Sequence, residues 1–319
     1  MTKLDSKVLS TLALQSDATT VAPFGGSGFA STLKISTVLA EGKKKCFFMK
    51  TGDGKDAETM FRGEFESLNA IHNAVPSLCP KAFSHGAFES KPSYYLVTDF
   101  INLSRHSSSS GETLAHKMAK LHLAPQTEKY NNKFGFPVPT CCGSTVQDNT
   151  WEDSWAEFFG KRRLIHILAE SEAKNGPDKA LRKWVEKTVD TVVPRLLGVL
   201  ENVKPALVHG DLWSGNASKG CFGENGENGD PEDVVFDPSA CYAHNEYEFG
   251  IMRMFGGFGP KFFNEYHERI PKAEPVKEYD DRVELYQLYH QLNHHALFGS
   301  GYKPGAISTM ERLYKKYGG

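Results

Sequence analysis

The chain lacks an excess of charge of either sign, and it lacks a cysteine motif. Its 319 residues carry 37 Lys and Arg against 39 Asp and Glu, so we expect no general attraction to nucleic acid or to an anionic membrane. The six cysteines include no C-x-x-C pair, which argues against a zinc ribbon and a disulfide scaffold. We therefore expect free thiols, a reducing compartment and a small or peptide-borne ligand.

Long apolar runs are also missing. No run approaches the roughly 18 residues that a membrane helix needs, and the first fifteen residues lack the length and cleavage-site composition of a signal peptide. The sequence therefore predicts a cytoplasmic protein without a membrane partner. Its length suggests two units of ordinary size rather than one.

Three familiar site patterns are incomplete. The glycine-rich turn is not followed by the G-K-[ST] of a Walker phosphate loop. His290 and His294 have the spacing of a zinc-protease helix, but Gln291 stands where that motif has its glutamate. Cys141 and Cys142 are neighbours that cannot readily close a relaxed disulfide, and no other ligand lies at metal-site spacing. We interpret the histidines as a packed or solvated helix face and the cysteines as structural thiols.

Strand patterns dominate the first hundred residues. Segments 21–24, 31–36 and 46–50 are separated by glycine turns, which predicts an antiparallel meander. A helix is predicted over 57–74, because its apolar residues recur mostly at three- and four-residue steps. Another strand is predicted at 94–98.

The remaining sequence is mainly helical. Apolar residues follow helical faces at 114–121, 151–159 and 178–200, where Pro194 should kink or end the helix. The glycine- and acid-rich insertion at 219–232 is expected to be the tip of an exposed hairpin, and two or three helices should follow it. These patterns predict an α+β chain, with an antiparallel sheet first and helices later.

The most informative segment is H-G-D-L-W-S-G-N at residues 209–216, followed after the insertion by an apolar run that ends on Asp237. The spacing H-x-D-x-x-x-x-N matches the catalytic loop of kinases. Asp211 is then predicted to be the catalytic base. Asn216 and Asp237 are predicted to hold Mg²⁺, which prefers hard oxygen ligands. His209 is expected to be structural.

Other parts of a kinase site occur in the expected order. Gly26, Ser27 and Gly28 begin a turn that resembles the kinase G-x-G-x-x-G loop, whose backbone amides could approach phosphate oxygens. A plain hairpin turn would look the same. Lys50 ends a strand and Glu64 lies on the helix that follows, in the order of the ion pair that positions phosphates in kinases.

Alternatives to these assignments stay open in the sequence alone. Lys50 and Glu64 could be solvated surface residues, and Glu66 is a second possible partner for the lysine. Trp213 follows the predicted base by two residues and is predicted to stack on a sugar. A tryptophan that packs in the core would look the same.

Together these motifs resemble the fructosamine kinases, also called ketosamine-3-kinases or protein-ribulosamine 3-kinases, of the protein-kinase-like superfamily. The resemblance runs from about Gly25 to near the C-terminus, and H-G-D-L-W-S-G-N is its most specific element. Further segments that look like the family lie at 133–136, 140–143, 237–238, 254–258, 270–273 and 285–288.

The resemblance implies a bilobal protein-kinase-like fold. A nucleotide-binding lobe would cover 1–98, a hinge and linker 99–110, and a mainly helical catalytic and substrate lobe 111–319. Within the hinge, Asp99, Phe100 and Ile101 would meet adenine.

The resemblance also implies an activity. ATP would phosphorylate O3 of ribulosamine or fructosamine adducts on proteins or amines, and the 3-phosphate would then eliminate and release the amine. Asp211 would orient O3, Lys50 would contact the phosphates, and Glu64 would hold Lys50. We expect ATP and Mg²⁺ as cofactors, and a monomer or weak dimer.

Two other functions stay open. A kinase of another small hydroxylated amine, such as an aminoglycoside or choline, would share the catalytic parts. A pseudokinase that serves as a binding module is a third reading, although the full set of Lys50, Asp211, Asn216 and Asp237 argues against it.

Overall fold

The structure, a computed structural model, describes residues 3–26, 28, 30–39, 42–104, 111–222 and 230–318. The chain divides into two compact units. Unit 1 comprises Met1–Lys117 with Asn216–Pro238, and unit 2 comprises Met118–Gly215 with Ser239–Gly319. The hairpin after the predicted catalytic segment therefore belongs with the N-terminal residues, although it is distant in sequence. The predicted hinge boundary at 99–110 stays a prediction.

The described strands lie mostly in the first half of the chain. They are β1 (Thr19–Pro23), β2 (Ser31–Val38), β3 (Lys44–Asp53), β4 (Ala82–Ala87), β5 (Ser93–Asp99), β6 (Ile101–Leu103), β7 (Thr140–Cys142), β8 (Thr145–Gln147), β9 (Ala206–Val208), β10 (Ala217–Phe222), β11 (Glu232–Val235) and β12 (Cys241–Ala243).

The described helices lie mostly in the second half. They are α1 (Ser6–Thr11), α2 (Gly54–Ala74), α3 (Leu114–Leu123), α4 (Trp155–Glu157), α5 (His166–Asn175), α6 (Lys179–Lys187), α7 (Val193–Leu196), α8 (Phe249–Phe255), α9 (Pro260–Arg269), α10 (Tyr279–Phe298) and α11 (Lys303–Tyr317), with wider π-type turns at Phe158–Ile165 and Thr188–Val192.

Unit 1 is built on a five-stranded antiparallel sheet in the order β1-β2-β3-β5-β4. The predicted meander is confirmed, because β2 and β3 pair from Ser31 opposite Thr51 to Val38 opposite Lys44. Since successive side chains in a strand point to opposite faces, one face of the sheet carries a buried apolar cluster. Its buried members are Val8, Ile35, Phe47, Met49, Tyr95 and Val97.

Helix α2 confirms the predicted amphipathic helix. It ends at Ala74, just before Pro76. Its buried positions include Phe61, Glu64 and Leu68, which recur at three- and four-residue steps. The glutamate is therefore carried into the interior of unit 1 on the apolar face of the helix.

A three-stranded sheet in the order β11-β10-β6 completes unit 1. β10 and β11 form an antiparallel hairpin from Ala217 opposite Val235 to Gly220 opposite Glu232. A Cβ at Gly220 would lie 2.7 Å from the Ile101 side chain, so glycine allows β10 to approach β6 closely. The two strands of the predicted hairpin are present, with residues 219–222 in β10 and Glu232 in β11. Residues 223–229 lie outside the described residues, so the predicted exposed tip stays a prediction.

Unit 2 has an aromatic core. Trp155 contacts the rings of Phe159, Tyr247 and Tyr286, and its indole N–H donates to the Tyr286 hydroxyl over 2.9 Å. That hydroxyl also lies 2.9 Å from Nδ1 of His244. The buried indole N–H of Trp155, the Tyr286 hydroxyl and the His244 ring are therefore paired with one another, as burial of polar groups favours.

Three details of the helical half differ from the sequence interpretation. Trp151 precedes the helix that begins at Trp155 and stacks on Tyr130 with a centroid distance of 4.6 Å. The helical run that contains Pro194 passes through wide turns and ends at Leu196, as a missing backbone donor allows. Four helices, α8 to α11, follow the catalytic segment among the described residues, rather than two or three.

None of the helices in the described ranges combines the length and the apolar character needed to cross a membrane. The predicted location in the cytoplasm stays a prediction.

A close crossing of α8 and α10 gives a test of the packing in unit 2. A Cβ at Gly250 would lie 2.7 Å from the backbone of Tyr286, so Gly250→Ala should lower the free energy of unfolding by about 1–3 kcal/mol. Gly305, in α11, has only Gln291 at 3.9 Å, so Gly305→Ala should raise it by about 0.5 kcal/mol. Urea unfolding would measure both, and changes of the same sign would contradict this packing.

Candidate active site

Lys50 lies between two carboxylates in unit 1. Its Nζ donates to both carboxylate oxygens of Glu64, over 2.7 and 2.8 Å, and to Oδ1 of Asp237 over 2.8 Å. The side chains of Lys50 and Glu64 are 9% and 10% exposed, whereas that of Asp237 is 46% exposed. Strand β3, helix α2 and the end of the β10–β11 hairpin therefore each contribute one charge to the same cluster.

Burial and neighbouring charges shift the pKa values of Lys50 and Glu64 in opposite directions. Burial alone would lower the pKa of Lys50, but the carboxylates of Glu64 and Asp237 outweigh it and raise that pKa. Burial raises the pKa of Glu64 to about 6, although the Lys50 ammonium opposes the rise. Both groups are consequently charged at neutral pH, and Glu64 holds a permanent cation in place.

All three residues of this cluster line a cavity of about 270 Å³ within unit 1. Six of the residues predicted to bind nucleotide line it, namely Gly26, Lys50, Glu64, Asp99, Phe100 and Ile101. Burial raises the pKa of the Asp99 carboxyl. Gly28 is described but is not among the lining residues, and Ser27 lies outside the described residues.

The rest of the cavity wall is largely apolar. Phe24, Phe48, Leu68 and Phe236 contribute to it, and the rings of Phe24 and Phe100 meet edge to face at 4.9 Å. A cavity lined by both charged groups and apolar side chains suits a ligand that combines a planar ring with anionic groups.

The register of β6 orients backbone groups toward this cavity. Ser104 N–H donates to the Lys219 carbonyl over 2.8 Å, and Asn102 pairs with Cys221 in the same antiparallel ladder. Alternate residues of such a ladder turn their N–H and C=O groups to opposite sides. Ile101 and Leu103 therefore turn theirs away from β10, and both residues line the cavity.

Asn216 and Asp237 flank the base of one hairpin. Ala217 pairs with Val235, and Phe236 N–H donates to the Asn216 carbonyl over 3.1 Å. Asp237 has a φ of +58°, a left-handed conformation that is costly for a residue with a side chain and that clusters at functional sites. The hairpin thus brings the two predicted metal ligands to the same end of unit 1.

The segment around Asp211 is held in unit 2 by a buried carboxylate. Glu248 accepts hydrogen bonds from His209 N–H over 2.6 Å and from Gly210 N–H over 3.0 Å. Gly210 has a φ of +81°, and a Cβ there would lie 2.1 Å from the Ser239 carbonyl oxygen. Only glycine fits at that position, so the backbone that precedes Asp211 has little freedom to move.

Trp213 is an exposed residue that also contacts its neighbours. Its side chain is partly exposed, its ring lies 5.7 Å from that of Phe255, and a Cβ at Gly215 would lie 2.2 Å from the indole. The indole therefore lies against Gly215 with part of its surface open to solvent. Its predicted contact with a sugar stays a prediction.

The structure thus brings some predicted residues together directly. Lys50 contacts both Glu64 and Asp237, and Asn216 precedes the hairpin that leads to Asp237. Asp211 and Trp213 belong to unit 2. The predicted convergence of Asp211 with the metal ligands stays a prediction.

Sequence reasoning missed several residues around these sites. Glu248 and Leu103 carry no motif, and their importance follows from a backbone hydrogen bond and from strand register. Cys142 lies with its Sγ 3.7 Å from Oδ1 of Asp211. No spacing in the sequence could have indicated these contacts, because each joins residues that are far apart along the chain.

Comparison with known proteins decides the family. The family model described as fructosamine kinase matches residues 3–316. The chain belongs to the fructosamine kinase family. A ketosamine-3-kinase of Mus musculus is 35% identical over 288 residues, covering 84% of this chain and 88% of the mouse protein. A chloroplastic protein-ribulosamine 3-kinase of Arabidopsis thaliana is 36% identical over 267 residues, covering 83% of this chain and 75% of the plant protein.

Solved structures support the same fold. A fructosamine-3-kinase candidate from Thermobifida fusca matches with a TM-score of 0.77 at 24% identity, covering 98% of both chains. The aminoglycoside phosphotransferase APH(2")-IIIa, in complex with GDP and kanamycin, matches with a TM-score of 0.52 at 12% identity over 97% of both chains. The predicted protein-kinase-like α+β fold is confirmed, and membership of a kinase family implies the use of ATP.

The buried ion pair can be tested without nucleotide. Lys50→Met leaves Glu64 buried without its cation, and should lower the free energy of unfolding by about 3 kcal/mol. The double variant Lys50→Met/Glu64→Leu should be more stable than Lys50→Met, because the only carboxylate that then loses the lysine is that of Asp237, which is 46% exposed and can be solvated. Urea unfolding would measure both, with Lys55→Met at an exposed position of α2 as the control. Equal stability of Lys50→Met and Lys55→Met would contradict the role of the pair.

Proposed function

We propose that this chain transfers the γ-phosphoryl group of ATP to O3 of ketosamines, the ribulosamine or fructosamine adducts that reducing sugars leave on amines. The 3-phosphate of such an adduct can eliminate and release the amine, which amounts to deglycation. The names of the relatives at 35% and 36% identity support this substrate class. The observation in this chain that carries the proposal is the Lys50 cation, held by Glu64 in the lining of a cavity with apolar walls.

The nucleotide would occupy the cavity of unit 1 in one orientation. Adenine fits between the apolar walls, with the backbone groups of Ile101 and Leu103 as its hydrogen-bonding edge. The phosphates would then lie toward Lys50, whose charge Glu64 fixes in place. The glycine turn with Gly26, Ser27 and Gly28 would supply backbone amides to the phosphate oxygens.

Asn216 and Asp237 fit the requirements of a magnesium site. Both offer hard oxygen atoms, and the Asp237 side chain is 46% exposed, so its carboxylate can be reached from solvent. Bound Mg²⁺ would neutralise charge on the phosphates and polarise the transferring group. The strained backbone of Asp237 fixes the direction of this carboxylate before any ligand arrives.

Asp211 would orient the O3 hydroxyl and accept its proton. The hydrogen bonds from His209 and Gly210 to Glu248 fix the backbone that carries this carboxylate, so its position is set before substrate binds. Trp213 would offer the exposed part of its indole to the apolar face of the sugar.

The assignment of Asp211 and of the substrate class can be tested in one assay. ATP turnover would be measured with ribulosamine-lysine, fructosamine-lysine, kanamycin and choline, and NMR would locate the phosphate. We expect 3-phosphates of the ketosamines. Asp211→Asn should lower kcat by about 10²–10⁴-fold while leaving the Kd for ADP unchanged, because only proton transfer and hydroxyl orientation are lost.

Asp153→Asn is the matched control, since the Asp153 side chain is 83% exposed. Turnover of kanamycin or choline without turnover of either ketosamine would replace the proposal with the small-molecule kinase. Nucleotide binding without turnover of any acceptor would indicate a binding module. An unchanged kcat in Asp211→Asn would reject Asp211 as the base.

A further inference from the structure

Three different types of metal ligand meet in unit 2, and the predicted base Asp211 is one of them. Cys142 ends β7, Asp211 follows β9, and His290 lies in α10. The cysteine sulfur, a carboxylate oxygen and an imidazole nitrogen all lie within 4.8 Å of one another. The distance from the cysteine Sγ to Oδ1 of the aspartate is 3.7 Å. Neither the cysteine pair nor the H-x-x-x-H pattern indicated this cluster, because its members come from three separate parts of the chain.

One ring nitrogen of the histidine in this cluster has no hydrogen-bond partner among the described residues. His290 is 1% exposed, and its Nδ1 is buried without a hydrogen-bond partner among the residues that the structure describes. Burial lowers the pKa of His290 to about 3, so the ring is neutral at physiological pH. A neutral imidazole is the form that binds a metal. A buried ring nitrogen without a partner is costly unless something else satisfies it.

The surroundings of Cys142 hold it firmly. Asn293, one turn of α10 beyond His290, donates its amide to the Cys142 carbonyl over 3.1 Å, which ties the end of β7 to the helix. Burial and the Asp211 carboxylate raise the pKa of the Cys142 thiol well above its usual range, and the buried Arg163 guanidinium opposes this. Metal binding would therefore have to displace a proton from sulfur.

We propose that Cys142, Asp211 and His290 form a binding site for Zn²⁺. One thiolate, one imidazole and one carboxylate are donors that zinc accepts, and three protein ligands leave a fourth position open for water. Ligand atoms around tetrahedral zinc are separated by about 3.5 Å. The sulfur–oxygen distance of 3.7 Å is already close to that value. Mg²⁺ prefers oxygen donors only, so the site is chemically distinct from Asn216 and Asp237.

Zinc at this site would inhibit the enzyme. A carboxylate bound to zinc cannot accept a proton from the substrate hydroxyl, so kcat should fall. The Kd for nucleotide should stay unchanged, because the cavity lined by Lys50 and Phe100 lies within unit 1. This inhibition depends on the proposed function, whereas the binding of the metal does not.

Binding can be measured with Co²⁺, whose thiolate charge-transfer band and visible bands report sulfur ligation and tetrahedral geometry. The full chain, reduced and stripped of metal, should bind one Co²⁺ with both bands, and Zn²⁺ should displace it. Cys142→Ser should abolish the charge-transfer band. His290→Gln should weaken binding at least about tenfold, as expected for the loss of one of three ligands.

Cys141→Ser is the matched control, because neighbouring residues of a strand point to opposite faces. This variant should keep the charge-transfer band. A band of equal intensity in Cys142→Ser, or its absence from the unmodified chain, would overturn the site. Circular dichroism and ADP binding would check that each variant is folded. If Cys142→Ser does not fold, unchanged Co²⁺ affinity in His290→Gln would overturn the proposal by itself.

Kinase assays separate this proposal from the proposed function. Zn²⁺ should inhibit ketosamine turnover in the presence of Mg²⁺ and ATP, and its half-inhibitory concentration should rise at least about tenfold in His290→Gln, measured against that variant's own rate in Mg²⁺ without Zn²⁺. Cobalt binding, with no ketosamine turnover by zinc-free protein supplied with Mg²⁺ and ATP, would contradict the proposed function and leave the site intact. Ketosamine turnover without cobalt binding would overturn the zinc site and leave the proposed function intact.

Discussion

The ion pair between Lys50 and Glu64 is the interaction on which the proposed nucleotide site depends. A lysine that is 91% buried needs a partner, and Glu64 supplies it with both carboxylate oxygens. Strand β3 and helix α2 must therefore pack so that the side chains of Lys50 and Glu64 meet. Asp237 joins the same ammonium from the end of the hairpin, so all three charged groups of the cluster line the cavity of unit 1.

In unit 2 a buried carboxylate also fixes its partner, but here the partner is the backbone rather than a side chain. Glu248 gathers the N–H groups of His209 and Gly210, and Gly210 has a conformation and a close contact that other residues cannot adopt. The backbone that carries Asp211 is thus held by the buried carboxylate of Glu248. Cys142 lies beside Asp211. In the proposed zinc site, a bound metal would therefore compete with the proton of the substrate hydroxyl for the Asp211 carboxylate.

Much of the fold followed from local sequence patterns. The meander and α2 were predictable because alternation and helical periodicity report which face is buried, and H-G-D-L-W-S-G-N is specific enough to indicate the family. The contacts of Glu248, Leu103 and His290 were not predictable, since each depends on packing between segments that are far apart in sequence. Trp151 was wrongly assigned to a helix, because an aromatic residue at helical spacing can equally pack from an extended segment.

The most direct test of the account is whether Asp237 links the Lys50 cluster to a nucleotide-bound cation. Calorimetry would compare ATP binding in Mg²⁺ and in EDTA for the unmodified chain, for Asp237→Asn, which tolerates a φ of +58°, and for Asp230→Asn, an exposed control beside the same hairpin. We predict that Mg²⁺ tightens binding about tenfold or more in the unmodified chain and in Asp230→Asn. Asp237→Asn should lose this gain while it keeps its affinity in EDTA. An equal gain from Mg²⁺ in all three proteins would contradict the account.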